Sequence, residues 1–139
     1  MAEGDGKAPD SSVSVLICDD VESMRALLGV IVELRPGLRV VGEAGDGEQA
    51  IAQAERLQPD VILLDLSMPR RTGLDALPEI KRVAPAAKII VLSGFVSSLV
   101  AADVLARGAD CYIEKGADPD AIAAMIEDVA TVPGGRVEA

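Results

Sequence analysis

The stretch Val61-Ile62-Leu63-Leu64-Asp65-Leu66-Ser67-Met68-Pro69 decides how the rest of the chain is interpreted. It opens with a continuous apolar run, and prolines lie on both sides of it. An apolar run of this length is typical of a strand that is buried on both faces of a parallel sheet. Asp65 is then placed at the carboxyl end of the strand, which is the edge of an α/β sheet where ligands bind. Taken alone, an aspartate there is more often a helix cap or a turn residue.

The composition restricts both the fold and the chemistry. The chain has 139 residues, enough for one domain, and half are apolar although there is one Phe, one Tyr and no Trp. The core must therefore consist of Ala, Val, Leu and Ile. The net charge of −10 argues against binding to nucleic acid or to an anionic membrane. Because there is no histidine, the chemistry must depend on carboxylates, hydroxyls, lysine and a metal held by oxygen ligands.

The sequence carries no signal for a membrane or for secretion. No apolar stretch approaches the ~20 residues of a membrane span, and residues 1–12 lack the apolar centre of a signal peptide. Cys18 and Cys111 lie in apolar runs and are expected to be buried, reduced thiols. We therefore expect a cytoplasmic protein.

Strand-like and helix-like segments alternate five times along the chain. We expect a disordered tail over 1–12, one folded domain over 13–132 and a second tail over 133–139. The loops are too short for anything but right-handed crossovers, so the pattern predicts a doubly wound α/β fold with a parallel sheet. The strands are predicted at 13–17, 38–41, 61–65, 88–92 and 111–114.

Two details of this pattern depend on glycine and proline. Gly42 to Gly47 is predicted to be a turn that contains Asp46. Pro78 is placed in the first turn of a helix that begins at Leu74, where a proline costs little.

Chemically related side chains follow the predicted strands. Because parallel strands point one way, Asp19, Asp20, Asp65, Ser93 and Lys115 are expected to meet along one edge of the sheet. Three carboxylates in close proximity repel one another, and a divalent cation such as Mg²⁺ relieves that repulsion. Each residue alone has an ordinary explanation as a cap, a turn residue or a solvated charge. Together they are suited to accepting a phosphoryl group on a carboxylate.

These positions resemble the receiver domain of two-component response regulators, close to the single-domain chemotaxis type. The resemblance extends from about Ser14 to Thr131. It implies a flavodoxin-like, five-stranded parallel sheet of order 2-1-3-4-5 with five helices on its two faces. The matching residues are Asp19-Asp20, the run Leu64-Asp65-Leu66-Ser67-Met68-Pro69, Gly73, Ser93-Gly94, and Tyr112 three residues before Lys115.

The resemblance implies a phosphoacceptor and a metal site. Asp65 would receive the phosphoryl group. Asp20, Asp65 and the backbone carbonyl of Ser67 would bind Mg²⁺ directly, with Mn²⁺ as a substitute. Asp19 would act through a water molecule.

The resemblance also implies a switch. Lys115 and Ser93 would contact the phosphoryl oxygens, and Tyr112 would turn inward when the Ser93 hydroxyl moves. The face of the fourth helix, fifth strand and fifth helix would then change its partners.

Ser67 and Phe95, two positions beyond Asp65 and Ser93, would tune the lifetime of the phosphoryl group, and we expect Phe95 to shield it. Two departures are Gly116, where many members have proline, and Ser93, where threonine is commoner.

The partners expected from the resemblance are proteins. A histidine kinase would donate the phosphoryl group from its phosphohistidine, and a downstream target or phosphotransfer protein would follow. We expect a stand-alone monomer or a phosphorylation-dependent dimer that binds no nucleic acid and no membrane. It would not be an enzyme beyond catalysing its own phosphorylation and dephosphorylation. Arg70 and Arg71 are expected to be solvated loop charges, or to meet an acidic partner.

Three alternatives compete with this interpretation. A phosphatase of the haloacid dehalogenase type needs a second aspartate two residues after the nucleophile, where this chain has Ser67. A flavodoxin-like binder of a nucleotide or flavin needs a phosphate-binding loop after the first strand, where Asp19 and Asp20 would repel the phosphate. A pseudo-receiver would keep the fold as a docking module without being phosphorylated.

Overall fold

The computed structural model describes residues 12–94 and 98–131, over which five strands and five helices alternate. The strands are β1 (Val13–Cys18), β2 (Leu38–Ala44), β3 (Val61–Asp65), β4 (Lys88–Ser93) and β5 (Cys111–Glu114). The helices are α1 (Glu22–Glu33), α2 (Gly47–Leu57), α3 (Gly73–Val83), α4 (Ser98–Ala106) and α5 (Pro119–Ala130).

All strands are parallel and their order is β2-β1-β3-β4-β5, which confirms the predicted flavodoxin-like fold. Every residue of the central strand β3 is buried. Ile62 and Leu64 pack in a cluster with residues of α2, α3 and α4, while Val61 and Leu63 pack in a second cluster with α1 and α5. Each fully buried leucine or isoleucine contributes about 1.5–3 kcal/mol relative to exposure. The sheet is therefore held from both sides, and its carboxyl edge stays open for a site.

The turn predicted over 42–47 is wrong in its first half, because β2 continues to Ala44. Pairing with β1 outweighs the low strand propensity of Gly42, which lies opposite Leu16 after a bulge in the register. Asp46 is the N-cap of α2 and not simply a turn residue, since its carboxylate accepts the N–H of Gln49.

The placement of Pro78 in a first turn is also wrong. Helix α3 begins at Gly73 and is capped by Thr72, so Pro78 lies in its second turn. Proline has no N–H to donate to the carbonyl of Leu74. The guanidinium of Arg107 lies 3.5 Å from that carbonyl oxygen and takes over part of the missing interaction.

Several predictions fall outside the described residues: the tail over 1–12 except Ser12, the tail over 133–139, and Phe95.

Both cysteines are free thiols; Cys18 is buried as predicted, whereas Cys111 is half-buried. Burial raises the pKa of the Cys18 thiol far above its usual value and that of Cys111 to about 11. In the two described ranges, no helix combines the length and the apolar character needed to cross a bilayer.

Candidate functional site

The ends of three parallel strands bring the predicted charged residues together. Asp19 follows β1, Asp65 is the last residue of β3, and Lys115 follows β5. The Nζ atom of Lys115 lies 2.9 Å from Oδ2 of Asp19 and 3.1 Å from Oδ2 of Asp65. Carboxylate oxygens of Asp19, Asp20 and Asp65 all lie within 4.8 Å of one another. The strand topology therefore assembles the acidic cluster that the sequence predicts.

The cluster holds more negative charge than its one lysine can balance. Asp19 and Asp65 are 1% and 2% exposed, whereas Asp20 is exposed. Burial raises the pKa of Asp65 and the charge of Asp19 raises it further, while the N–H of Ser67 and the ammonium of Lys115 act in the opposite direction. Although burial lowers the pKa of Lys115, the two buried carboxylates raise it above its usual value. The lysine therefore remains charged and is shared between two carboxylates.

The donor set fits a hard divalent cation. Oδ2 of Asp19 and Oδ2 of Asp65 are buried, and neither makes a well-directed hydrogen bond within the described parts of the chain. Both oxygens lie beside the Lys115 ammonium, so two buried carboxylates share one positive charge, which leaves a cost that a second cation would relieve. Carboxylate and carbonyl oxygens are the ligands that Mg²⁺ and Mn²⁺ prefer. Asp19, Asp20 and Asp65 can hold such an ion, and the N–H of Ser67 fixes the Asp65 carboxylate through a 3.1 Å bond to Oδ1.

The remaining predicted site residues lie on β4 and β5. Ser93 ends β4 and is buried, and its carbonyl accepts the N–H of Lys115 at 2.9 Å. Tyr112 lies in β5 and is 37% exposed. Gly116, the departure from the usual proline, lies in a turn that is closed by the N–H of Ala117 on the carbonyl of Glu114. With glycine at this position, the ammonium of Lys115 still reaches both buried carboxylates.

Sequence reasoning missed a set of ion pairs beside the cluster. Arg70 binds Asp46, and Arg71 binds Glu48, so neither arginine is simply a solvated loop charge. Arg25 donates to the carbonyl of Asp19 at 2.7 Å. The one local signal was the spacing of an aspartate three residues before a glutamine, which is typical of a helix N-terminus and identifies Asp46 as a cap.

The raised pKa of Asp65 predicts how the stability of the metal-free protein depends on pH. The folded state binds the proton of Asp65 more tightly than the unfolded state does. Proton binding by Asp65 therefore adds to the free energy of unfolding. This added stability is fully present below the unfolded pKa of about 3.9 and is lost as the pH rises through the folded pKa. Asp65→Asn removes the effect, so its gain in unfolding free energy over the parent should be larger at about pH 7 than at about pH 4. Urea denaturation with a chelator measures this gain, and an equal gain at both pH values would contradict the explanation.

A control for this measurement is Asp75→Asn. Asp75 lies in the first turn of α3, where the helix N-terminus favours a negative charge, and it is not one of the three clustered carboxylates. This variant should show no gain in stability as the pH rises. The effect at Asp65 would then belong to the acidic cluster and not to the loss of one negative charge.

The response regulator receiver domain is the family whose model matches this chain, over residues 15–127. The nitrate/nitrite response regulator NarP of Escherichia coli is 43% identical over 123 residues, which are 88% of this chain and 56% of NarP. The chemotaxis protein CheY of Thermotoga maritima is 34% identical over 116 residues, which are 84% of this chain and 96% of CheY. The chain thus spans about half the length of NarP and nearly all of that CheY.

A solved structure supports the same assignment. The response regulator domain of Thermotoga maritima CheB superposes with a TM-score of 0.82 at 30% identity, covering 87% of this chain and 98% of that one. The strand order and the acidic cluster are those that the resemblance to this family implies, and the family model covers nearly all of the described residues. The chain belongs to the response regulator receiver domain family of two-component systems.

Proposed function

We propose that this receiver domain is a phosphoacceptor, in which Asp65 takes a phosphoryl group from the phosphohistidine of a histidine kinase. The observation that supports this most strongly is the meeting of three carboxylates and one lysine at the carboxyl edge of the sheet. These 139 residues contain no histidine, so a histidine donor would lie outside them. We expect the protein to meet that kinase in the cytoplasm.

The transfer needs positioning and charge stabilisation more than covalent help from the protein. A carboxylate oxygen of Asp65 attacks the phosphorus, the bond to the donor breaks, and its electron pair leaves with the donor. The product is an acyl phosphate on Asp65. Asp20, Asp65 and the carbonyl of Ser67 would hold Mg²⁺, and Asp19 would act through a water molecule. When bound, the ion neutralises charge on the phosphoryl oxygens.

The remaining residues would bind the product and transmit its presence. The Lys115 ammonium, already held by Asp19 and Asp65, would pair with a phosphoryl oxygen. Ser93 would hydrogen-bond a second oxygen, and Tyr112, which is partly exposed on β5, would then turn inward. The face of α4, β5 and α5 would change its affinity for a downstream protein, a phosphotransfer protein or a second copy of the chain.

Two other functions would use the same residues. A docking module would keep the fold without being phosphorylated. A haloacid dehalogenase-type phosphatase would release phosphate, but Ser67 occupies the position where that chemistry needs an acid. We therefore propose no enzymatic activity beyond the domain's own phosphorylation and dephosphorylation.

Acetyl phosphate and intact-mass measurement distinguish these functions. With Mg²⁺, the parent should gain a single phosphoryl adduct, and a chelator should abolish the gain because the acidic cluster then repels the donor. Mn²⁺ should restore it. Absence of an adduct on folded protein would contradict the phosphoacceptor and favour the docking module. Steady release of phosphate with no adduct at any time would favour the phosphatase.

A further inference from the structure

The N-terminus of α2 contacts the loop between β3 and α3 at three points. Oδ2 of Asp46 accepts from Nε and Nη2 of Arg70 at 3.1 and 2.5 Å. The N–H of Gly47 donates to the carbonyl of Arg71 at 2.8 Å, and Glu48 binds the Arg71 guanidinium at 3.2 Å. A Cβ at Gly47 would overlap the Arg71 carbonyl, so glycine is what allows this close approach. We call these five residues the α2 clamp.

Asp46 uses both carboxylate oxygens in the clamp. Oδ1 accepts the N–H of Gln49 at 2.8 Å and caps α2, while Oδ2 accepts from Arg70. The side chain is 5% exposed, and the N–H of Gln49 together with the Arg70 guanidinium holds its pKa below the usual value. A buried, charged carboxylate with both oxygens bound has a fixed position. The guanidinium of Arg70 therefore binds a carboxylate whose position is fixed, and this restricts the loop that carries Arg70.

Arg70 also holds an unusual backbone conformation. Its φ is 62°, in the left-handed region that residues with a side chain rarely adopt. The neighbouring N–H of Arg71 turns back to the carbonyl of Pro69 at 2.6 Å. Such a conformation persists only when surrounding contacts determine it. At Arg70 these contacts are the Arg71-to-Pro69 bond, which spans the residue, and the ion pair of its side chain with Asp46.

The loop held in this way contains Ser67. Met68 of this loop is buried in the hydrophobic core, which anchors the loop to the domain. Because an apolar contact is not directional, it does not set the orientation of the loop backbone. On the outer side, the loop borders a cavity of about 350 Å³, whose lining includes Asp20, Pro69 and Arg70. Apart from bonds within the loop and to its flanking elements β3 and α3, the directional contacts of residues 67–72 with other described residues are those of the α2 clamp.

We propose that Asp46 and Arg70 are positioning residues for the divalent cation, because they orient the loop whose Ser67 carbonyl would be a metal ligand. This inference rests on the proposed function. Groups that orient metal ligands without touching the metal affect its affinity, and their loss weakens binding about 10- to 100-fold. Asp46 and Arg70 form their ion pair with each other and not with a carboxylate of the acidic cluster. They would act through the backbone of the loop.

The test compares Asp46→Asn with Arg70→Gln. Asparagine still caps a helix, so the first variant keeps α2 and loses only the charged partner of Arg70. If the two charges acted on Mg²⁺ at long range, removal of the negative charge would weaken binding and removal of the positive charge would strengthen it. Positioning predicts that both variants weaken Mg²⁺ binding about tenfold. It also predicts that the double variant is no worse than either single one.

Mg²⁺ affinity is measured from the metal-dependent rise of the unfolding temperature, which needs no phosphorylation. At saturating Mg²⁺, phosphorylation by acetyl phosphate should recover in both variants, since the acceptor itself is intact. Glu79→Gln and Arg82→Gln are matched controls, because this ion pair lies on α3 and outside the clamp. Both should bind Mg²⁺ as the parent does.

Hydrogen exchange in a chelator gives a second readout that is independent of the metal. The amides of Ser67 and Gly73, which bond to Asp65 and Leu66, should exchange faster in Asp46→Asn and Arg70→Gln than in the parent. Unchanged exchange, or opposite shifts in Mg²⁺ affinity, would overturn the positioning role. A parent that binds no Mg²⁺ would overturn the proposed function as well. A parent that binds Mg²⁺ with both variants unaffected would overturn only this inference.

Discussion

Asp65→Asn is expected to abolish formation of the phosphoryl adduct entirely, at any concentration of acetyl phosphate or Mg²⁺. An amide is not a phosphoryl nucleophile under these conditions, whereas a carboxylate is. The two neighbouring carboxylates are not expected to replace it. Asp19 is engaged by the N–H of Val21 at 2.9 Å and by Lys115, and Asp20 lies at the exposed rim of the cluster.

Intact mass measured over time after addition of the donor tests this prediction. Asp75→Asn, on α3, removes one carboxylate outside the cluster and should be phosphorylated at the rate of the parent. An adduct of normal size on Asp65→Asn would show that another residue is the acceptor. Loss of the adduct from both variants would show that the assay reports net charge and not the site.

Gly73→Ala is expected to lower the free energy of unfolding by about 3 kcal/mol, because its new methyl group has no space. A Cβ at Gly73 would overlap the carbonyl oxygen of Asp65 and crowd the backbone of Leu66. The N–H of Gly73 also donates to the carbonyl of Leu66 at 3.0 Å, so the first turn of α3 cannot simply move away. The substitution should displace Asp65 and therefore weaken Mg²⁺ binding too.

Gly29→Ala is the matched control for this steric explanation. Gly29 is also a helical glycine, in α1, and nothing lies within 4 Å of the position that a Cβ would take. Alanine there should stabilise the protein by up to about 1 kcal/mol through helix propensity. Urea denaturation of both variants gives the comparison. A loss of stability at both positions, or at neither, would contradict the account of Gly73.

The fold and the acidic cluster were predictable because their signals are local. A buried apolar run ending at Asp65, and a similar run ending at Cys18 before Asp19 and Asp20, place these side chains at strand ends. Parallel topology then brings the strand ends to one edge without further information. Lys115 follows from the same rule, and the structure places its ammonium between Asp19 and Asp65.

The α2 clamp was not predictable in this way. Asp46 and Arg70 are 24 residues apart, and their pairing depends on how α2 packs beside the loop after β3. The extension of β2 through Gly42 likewise depends on pairing with β1, which outweighs the local preference of glycine for a turn. In both cases tertiary contacts, and not local propensity, decide the structure.

The position of the phosphoryl group after the reaction decides whether Asp65 is the phosphoacceptor. Borohydride reduces an aspartyl phosphate to homoserine, which survives digestion and is read by tandem mass spectrometry. Cleavage after arginine separates residues 57–70 from the segment that contains Asp19 and Asp20. If Asp65 is the phosphoacceptor, homoserine should appear at position 65 only in samples treated with donor and Mg²⁺, with Asp60 of the same peptide unchanged. Homoserine at position 19 or 20, or at none of these positions in protein that carries the adduct, would show that Asp65 is not the acceptor.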